Sequence, residues 1–345
     1  MILLWFGCHG TLDAPGTGIT NGDSELHVRI PIESQTSLMM MAQSDALIVV
    51  KEIHDPSGDT ILHWDDWKQS NLRLSNSFLL SGSEISCNWP IRSNDTPLVS
   101  GTWTFVLGAY DEDGYPSTHS SIDVQVSTKE DQDITTGNVQ AWIVTTSTVD
   151  EHVQAALEEA VEGWKILWMN VGLDLTVRYS TGASEPLPLV YEGTSEIKEL
   201  RSQGMDNELM VIVGESFEDA PDILGFSGNV PGSLQAGQRS AIAISWLANA
   251  GTDGVFDEQD IQLFSETLAH EAGHYLGLYH PVEIEFAQWD ALSDTEECTS
   301  RLSCQQALKN NLMYPYPICT GSTCVEQYIL TDQQQAVMHQ NTGVQ

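Results

Sequence analysis

The segment "LAHEAGHYLGLYH", residues 268–280, sets His270, Glu271, His274 and His280 within eleven positions of a 345-residue chain that holds ten histidines in all. On a helix, residues four apart project from one face about one turn from each other. The imidazoles of His270 and His274 can therefore share one Zn2+ at about 2.0–2.1 Å. Glu271 lies about 100° around the same helix. From there it misses the metal and reaches a water beside it, the place of a general base. A straight helix would carry His280 about 15 Å further along the axis. Gly277, free to take positive φ, lets the helix end and the chain swing back, returning His280 as third ligand. Three histidines leave a fourth position for water, the pattern of a catalytic rather than a structural zinc site. A helix with stray histidines is the alternative, and the fixed offsets of five residues make coincidence rare.

The elements that must position these residues fall into two textures. From about 23 to 130, short alternating runs such as "SELHVRIPI", "DALIVVKEI" and "GTWTFVLGAY" stand between turn signals such as "DPSGD" at 55–59. Trp103, Phe105, Leu107 and Ala109 share one face at period two, so this half is expected to be an all-β sandwich. It carries no catalytic constellation, and "DEDG" at 111–114 reads as an acidic turn rather than a calcium loop. The polar stretch "KEDQDITTGN", 129–138, marks the boundary. From 138 to 345 strands interleave with two long helices. The first, about 149–170, repeats Val153, Leu157, Val161, Trp164 and Trp168 at helical spacing behind a capping box of Thr148 and Glu151. The second runs from about 257 through the histidines. An α/β (α+β) domain with a mixed sheet is the expectation, giving a multidomain chain.

Thirteen Lys and Arg face 49 Asp and Glu, a formal charge of -36. Such a surface repels phosphate backbones and anionic lipid, which argues against nucleic-acid binding. No apolar run reaches the roughly 18 residues of a membrane span. Residues 1–22 read as a separate N-terminal segment. "MILLWFGCHG" resembles a clipped export signal with Cys8 as a lipid-bearing residue, a surface anchor. Cys298, Cys304, Cys319 and Cys324 crowd near the C-terminus and favour disulfides, hence a secreted or extracellular protein, with three pairings open. Cys87 reads as a buried core thiol or, alternatively, as a latch that caps the zinc.

His270, Glu271, His274, Gly277 and His280 resemble the metzincin signature H-E-x-x-H-x-x-G-x-x-H, and the surrounding residues look like the pappalysin family. The likeness covers about 139–340. "NLMYPYP" at 311–317 is similar to the Met-turn, which implies Met313 as the methionine beneath the metal. "LGFS" at 224–227 and "SAIAIS" are similar to the family's cleft-edge strand and the strand after it. The resemblance implies a zinc metalloendopeptidase acting on protein or peptide substrates. It also implies calcium sites, with Asp290 and Asp294 as candidate Ca2+ ligands. A tyrosine commonly follows the Met-turn methionine by two residues; here that position is Pro315, flanked by Tyr314 and Tyr316. A surface adhesion protein with an inactive zinc domain is the alternative function.

Overall fold

The computed structural model describes residues 10–130, 135–190, 193–251, 254–320 and 323–345. Cys8, and with it the anchor expectation, lies outside the described residues. The protein is mixed α/β, with several sheets and few helices. The chain divides into two compact units, one of Met1–Ser70, Ser75–Pro90 and Asn94–Asp131, the other of Asn71–Leu74, Ile91–Ser93 and Gln132–Gln345. Among the described residues no helix is long and apolar enough to cross a membrane.

The first unit contains β1 (Gly10–Asp13), β2 (Gly16–Ile19), β3 (Glu25–Ile32), β4 (Ser37–Ser44), β5 (Leu47–His54) and β6 (Thr60–His63). After β7 (Leu72–Arg73), which belongs to the second unit, come β8 (Glu84–Trp89), β9 (Gly101–Tyr110) and β10 (Ser121–Lys129). They form a five-stranded sheet, β1-β3-β9-β5-β6, and a four-stranded one, β2-β10-β4-β8. The alternation in β9 buries Trp103, Phe105, Leu107 and Ala109, as the period of two requires. "DPSGD" joins β5 to β6 through the Asp55 carboxylate, which accepts from the Ser57 and Asp59 amides. In "DEDG" the Asp111 carboxylate closes a turn in the same way, on the amides of Asp113 and Tyr115.

Residues 10–19 were expected to precede this unit. They instead pair into it, β1 parallel to β3 and β2 antiparallel to β10. "GTLDAPGTGI" carries almost no apolar alternation, so pairing with β3 and with the distant β10 decides its conformation.

The second unit holds β11 (Gly137–Thr146), α1 (Glu151–Met169), β12 (Leu173–Ala183), α2 (Ser195–Arg201), β13 (Glu208–Gly214), β14 (Gly225–Ser227), β15 (Ile242–Ser245), α3 (Trp246–Asn249) and α4 (Glu258–Tyr275). Then follow β16 (Trp289–Asp290), α5 (Arg301–Leu308), the small hairpin β17 (Cys319–Thr320) and β18 (Thr323–Cys324), and α6 (Asp332–Gln340). Its main sheet is mixed, in the order β12-β11-β13-β15-β14, with β14 alone antiparallel. β13 is buried along its whole length, the near-continuous apolar run of a parallel strand.

α1 buries Val153, Leu157, Val161, Trp164 and Trp168, the expected face. Its cap differs from expectation. Asp150 is the N-cap and accepts from the His152 and Val153 amides, while the Thr148 hydroxyl donates to Glu185 at 2.9 Å. A carboxylate two residues nearer the helix takes two of the free amides and releases the threonine for another partner. A second difference concerns β7, which sits in sequence within the β half yet pairs parallel with β16. The amides of Trp289 and Ala291 donate to the carbonyls of Asn71 and Arg73, both at 2.9 Å.

Candidate metal centre

α4 begins on a reciprocal capping box. Asp257 accepts from the amides of Gln259 and Asp260, and the Asp260 carboxylate accepts from the Asp257 amide. The helix carries His270, Glu271 and His274 on its last turns and ends in a Schellman arrangement. The Gly277 amide donates to His274 O at 2.9 Å, and the Leu278 amide donates to Gly273 O at 3.0 Å. Gly277 sits at φ +109°, a backbone that a side chain strains. This turn sends the chain back towards the helix and brings His280 against the two helical histidines.

The Nε2 atoms of His270 and His280 are 3.2 Å apart, and those of His274 and His280 3.1 Å. Each outer nitrogen is engaged elsewhere: His270 Nδ1 with Leu312 O at 2.7 Å, His274 Nδ1 with Leu278 O at 2.6 Å, and His280 Nδ1 with a Glu283 carboxylate oxygen at 2.8 Å. Carbonyl and carboxylate oxygens only accept, so the proton of each neutral ring is on Nδ1 and the three Nε2 lone pairs face one another. Lone pairs so placed repel, and a shared cation converts that repulsion into bonding. Zn–N bonds of about 2.0–2.1 Å in a tetrahedral site put ligand nitrogens about 3.3 Å apart, close to the observed spacing. The set is thus compatible with zinc binding. Burial, reinforced by the neighbouring imidazoles, pushes the His270 pKa down to about 3 and that of His274 well below its ordinary value. Neutral imidazole is the form a metal needs.

Glu271 is 8% exposed, and burial pushes its carboxyl up to about 8, opposed by a hydrogen bond from the Ser227 amide. Ser227 closes β14, which ends the sheet, so among the described residues no strand covers its outer edge. Asn249, fully buried, ties this edge to the helix. Its Nδ2 donates to Leu224 O at 3.1 Å, and its Oδ1 accepts from Thr267, one turn before Glu271, at 2.8 Å.

Met313 is fully buried against α4 at Gly273, where a β-carbon would come within 2.7 Å of the methionine sulfur. The turn around it is held by Asn311, whose Oδ1 accepts from the Met313 amide and whose Nδ2 donates to Gln334, at 2.9 Å each. The same turn presents Leu312 O to His270. Tyr314 is buried in a cluster with Val282, Cys298, Cys304 and Leu308 and donates its hydroxyl to that of Tyr316 at 3.1 Å.

Asp290 and Asp294 are not gathered with further ligands. Among the described residues, the three histidines are the one group of three or more metal-binding side chains close enough to share an ion. Asp294 accepts from the Thr331 hydroxyl and the Gln333 amide, both at 2.9 Å, and so serves the start of α6. Asp290 is 3% exposed and accepts from Thr295 and Leu292 through one oxygen; burial pushes its carboxyl up to about 7. Two disulfides, Cys298–Cys304 and Cys319–Cys324, resolve the pairing left open by the sequence. Cys87 is fully buried in β8, and burial pushes its thiol up to about 12, the setting of a core thiol. The sequence reading missed Glu283, Asn249 and the carbonyls of Leu278 and Leu312. Of these, Glu283 is a carboxylate three residues beyond the third histidine, one among 49 acidic residues.

No protein-family model matches the chain, and no curated protein matches its sequence. Among solved structures it is similar to metalloproteinase-II from Bacteroides fragilis, with 14% identity, a TM-score of 0.32 and coverage of 48% of this chain; the chain spans about half, 52%, of that protein. It is similar to archaemetzincin from Methanopyrus kandleri at 11% identity and a TM-score of 0.29, covering 59% of this chain and 88% of that one. A pre-peptidase C-terminal domain of collagenase from Bacillus anthracis is similar at 13% identity and a TM-score of 0.21, covering 34% of this chain and 90% of that one. At these TM-scores and identities, none of the three assigns an activity to this chain.

Proposed function

We propose that the chain is a secreted or surface-attached zinc-dependent endopeptidase of the pappalysin-like metzincin type, with a β-sandwich accessory domain ahead of the catalytic one. The observation that carries this reading is the convergence of three Nε2 atoms whose rings are each locked by a partner at Nδ1. When bound, Zn2+ supplies Lewis acidity towards the scissile carbonyl and lowers the pKa of a water towards about 7.

The remaining work falls to the chain's own residues. Glu271 takes the proton of the attacking water and hands it to the leaving amine. The raised pKa of its buried carboxyl suits the acid half of that task, and a neighbouring cation favours the ionised form needed for the base half. An extended peptide lies antiparallel along β14, held by main-chain hydrogen bonds on the uncovered edge. Met313 packs the underside of the histidine helix. Two disulfides fit an oxidising compartment.

The test is the purified chain incubated with casein, with and without a chelator. Cleavage that stops on chelation and returns with Zn2+ is expected. Zinc-replete protein that leaves casein and a peptide library intact overturns the reading.

A further inference from the structure

We infer that Glu283 is a positioning residue for the third ligand: its carboxylate fixes the His280 ring, aims Nε2 at the centre and makes metal retention depend on a charge that the other two histidines lack. The inference rests on the zinc reading above and deepens it.

The three rings are held by unlike means. His270 and His274 ride on α4, and their outer nitrogens meet main-chain carbonyls supplied by the 311–313 turn and by the helix's own terminus. His280 lies beyond Gly277, where no helix fixes its backbone, and its outer nitrogen meets a side chain. A flexible carboxylate would be a poor anchor unless its own backbone were fixed, and it is. The Glu283 amide donates to Gln288 O at 2.9 Å, and its carbonyl accepts from the Phe286 amide at 2.8 Å. Phe286 turns the chain at φ +55°. On either side of this turn Val282, fully buried, bridges Trp289, whose indole donates to Cys298 O at 2.9 Å. The carboxylate therefore projects from a closed turn seated on the cluster that holds the Cys298–Cys304 disulfide. The side chains of His280 and Glu283 are 18% and 23% exposed, so the pair is shielded for most of its surface.

A charge-assisted bond to Nδ1–H selects the tautomer with its lone pair on Nε2 and raises the donor strength of that nitrogen. A mere surface ion pair would leave metal binding alone. The two roles separate in the full-length chain. Zn2+ affinity is measured by competition with a chromophoric chelator for the parent, Glu283→Ala and Glu283→Gln, beside the thermal midpoint of each metal-free protein. The Co2+-substituted forms report ligand-field absorption.

Glu283→Ala should bind Zn2+ about 10–100-fold more weakly than the parent. Its metal-free midpoint should be unchanged and its Co2+ bands shifted. Glu283→Gln keeps an acceptor without the charge and should fall between. A parent that binds Zn2+ while both variants match its affinity and spectrum overturns the inference alone. A parent that binds no Zn2+ removes the zinc reading and the inference together.

Discussion

Histidines cluster in both units, and the two clusters are built in opposite senses. In β5 and β6 of the first unit, His54 Nε2 lies 2.8 Å and His63 Nε2 3.3 Å from the two oxygens of Glu52, with side chains 23–45% exposed. His63 Nδ1 accepts the Asp65 amide at 3.2 Å, which leaves the proton of the neutral ring on Nε2, pointing at the carboxylate. In the second unit the rings are turned about: the outer nitrogens donate to oxygen and the inner lone pairs meet one another. Two imidazoles around a carboxylate satisfy themselves. Three imidazoles around a common point are placed to share a cation. What separates the two is therefore the partner of the other ring nitrogen rather than the density of histidine.

That contrast can be broken or sharpened by substitution. The largest effect belongs to His274→Ala, which should weaken zinc retention by more than the about 10–100-fold that losing an outer partner costs. Proteolysis should go with it. Metal content after dialysis reads this directly, and parent-level zinc in the variant would mean that the convergence is not a site. Glu271→Gln should keep one equivalent of zinc while peptide cleavage falls about 10²–10⁴-fold, separating base from ligands.

Gly273→Val pushes a side chain into Met313, an overpacking worth about 1–3 kcal/mol. The thermal midpoint should drop by several degrees, and a variant as stable as the parent would show that the methionine contact is loose. His63→Ala should do least, since a part-exposed pair contributes about 0–1 kcal/mol. Its zinc content should equal the parent's, and the loss of a metal equivalent would break the comparison outright.

How much of this was legible beforehand depended on whether the deciding interactions were local. α4 and its bend could be read because His270, His274, Gly277 and His280 are spaced by helix geometry and by one backbone requirement, both local. The period-two face of β9 was legible for the same reason. The strands at 10–19 were not, since their pattern is weak and the partner of β2 lies about a hundred residues along the chain. Nor were the disulfides, because four cysteines within a short stretch fit several pairings until the backbone between them is placed. Glu283 was hidden by abundance. In a chain with 49 acidic residues, one more carboxylate after the third histidine carries no weight until a turn points it at the ring. Asp290 and Asp294 were suggested by the resemblance alone; both carboxylates are engaged by hydrogen bonds within the chain, Asp294 at the start of α6.

The placement of β7 bears on how this protein can be shortened. Because Asn71 O and Arg73 O accept the amides of Trp289 and Ala291, the second unit borrows a strip from upstream sequence. A fragment starting at residue 138 would leave those two donors orphaned beside the segment that carries Glu283. Lost activity in such a truncation would then report a frayed seam rather than an activating role for the first unit, and adding back a peptide spanning 71–74 is the way to tell them apart.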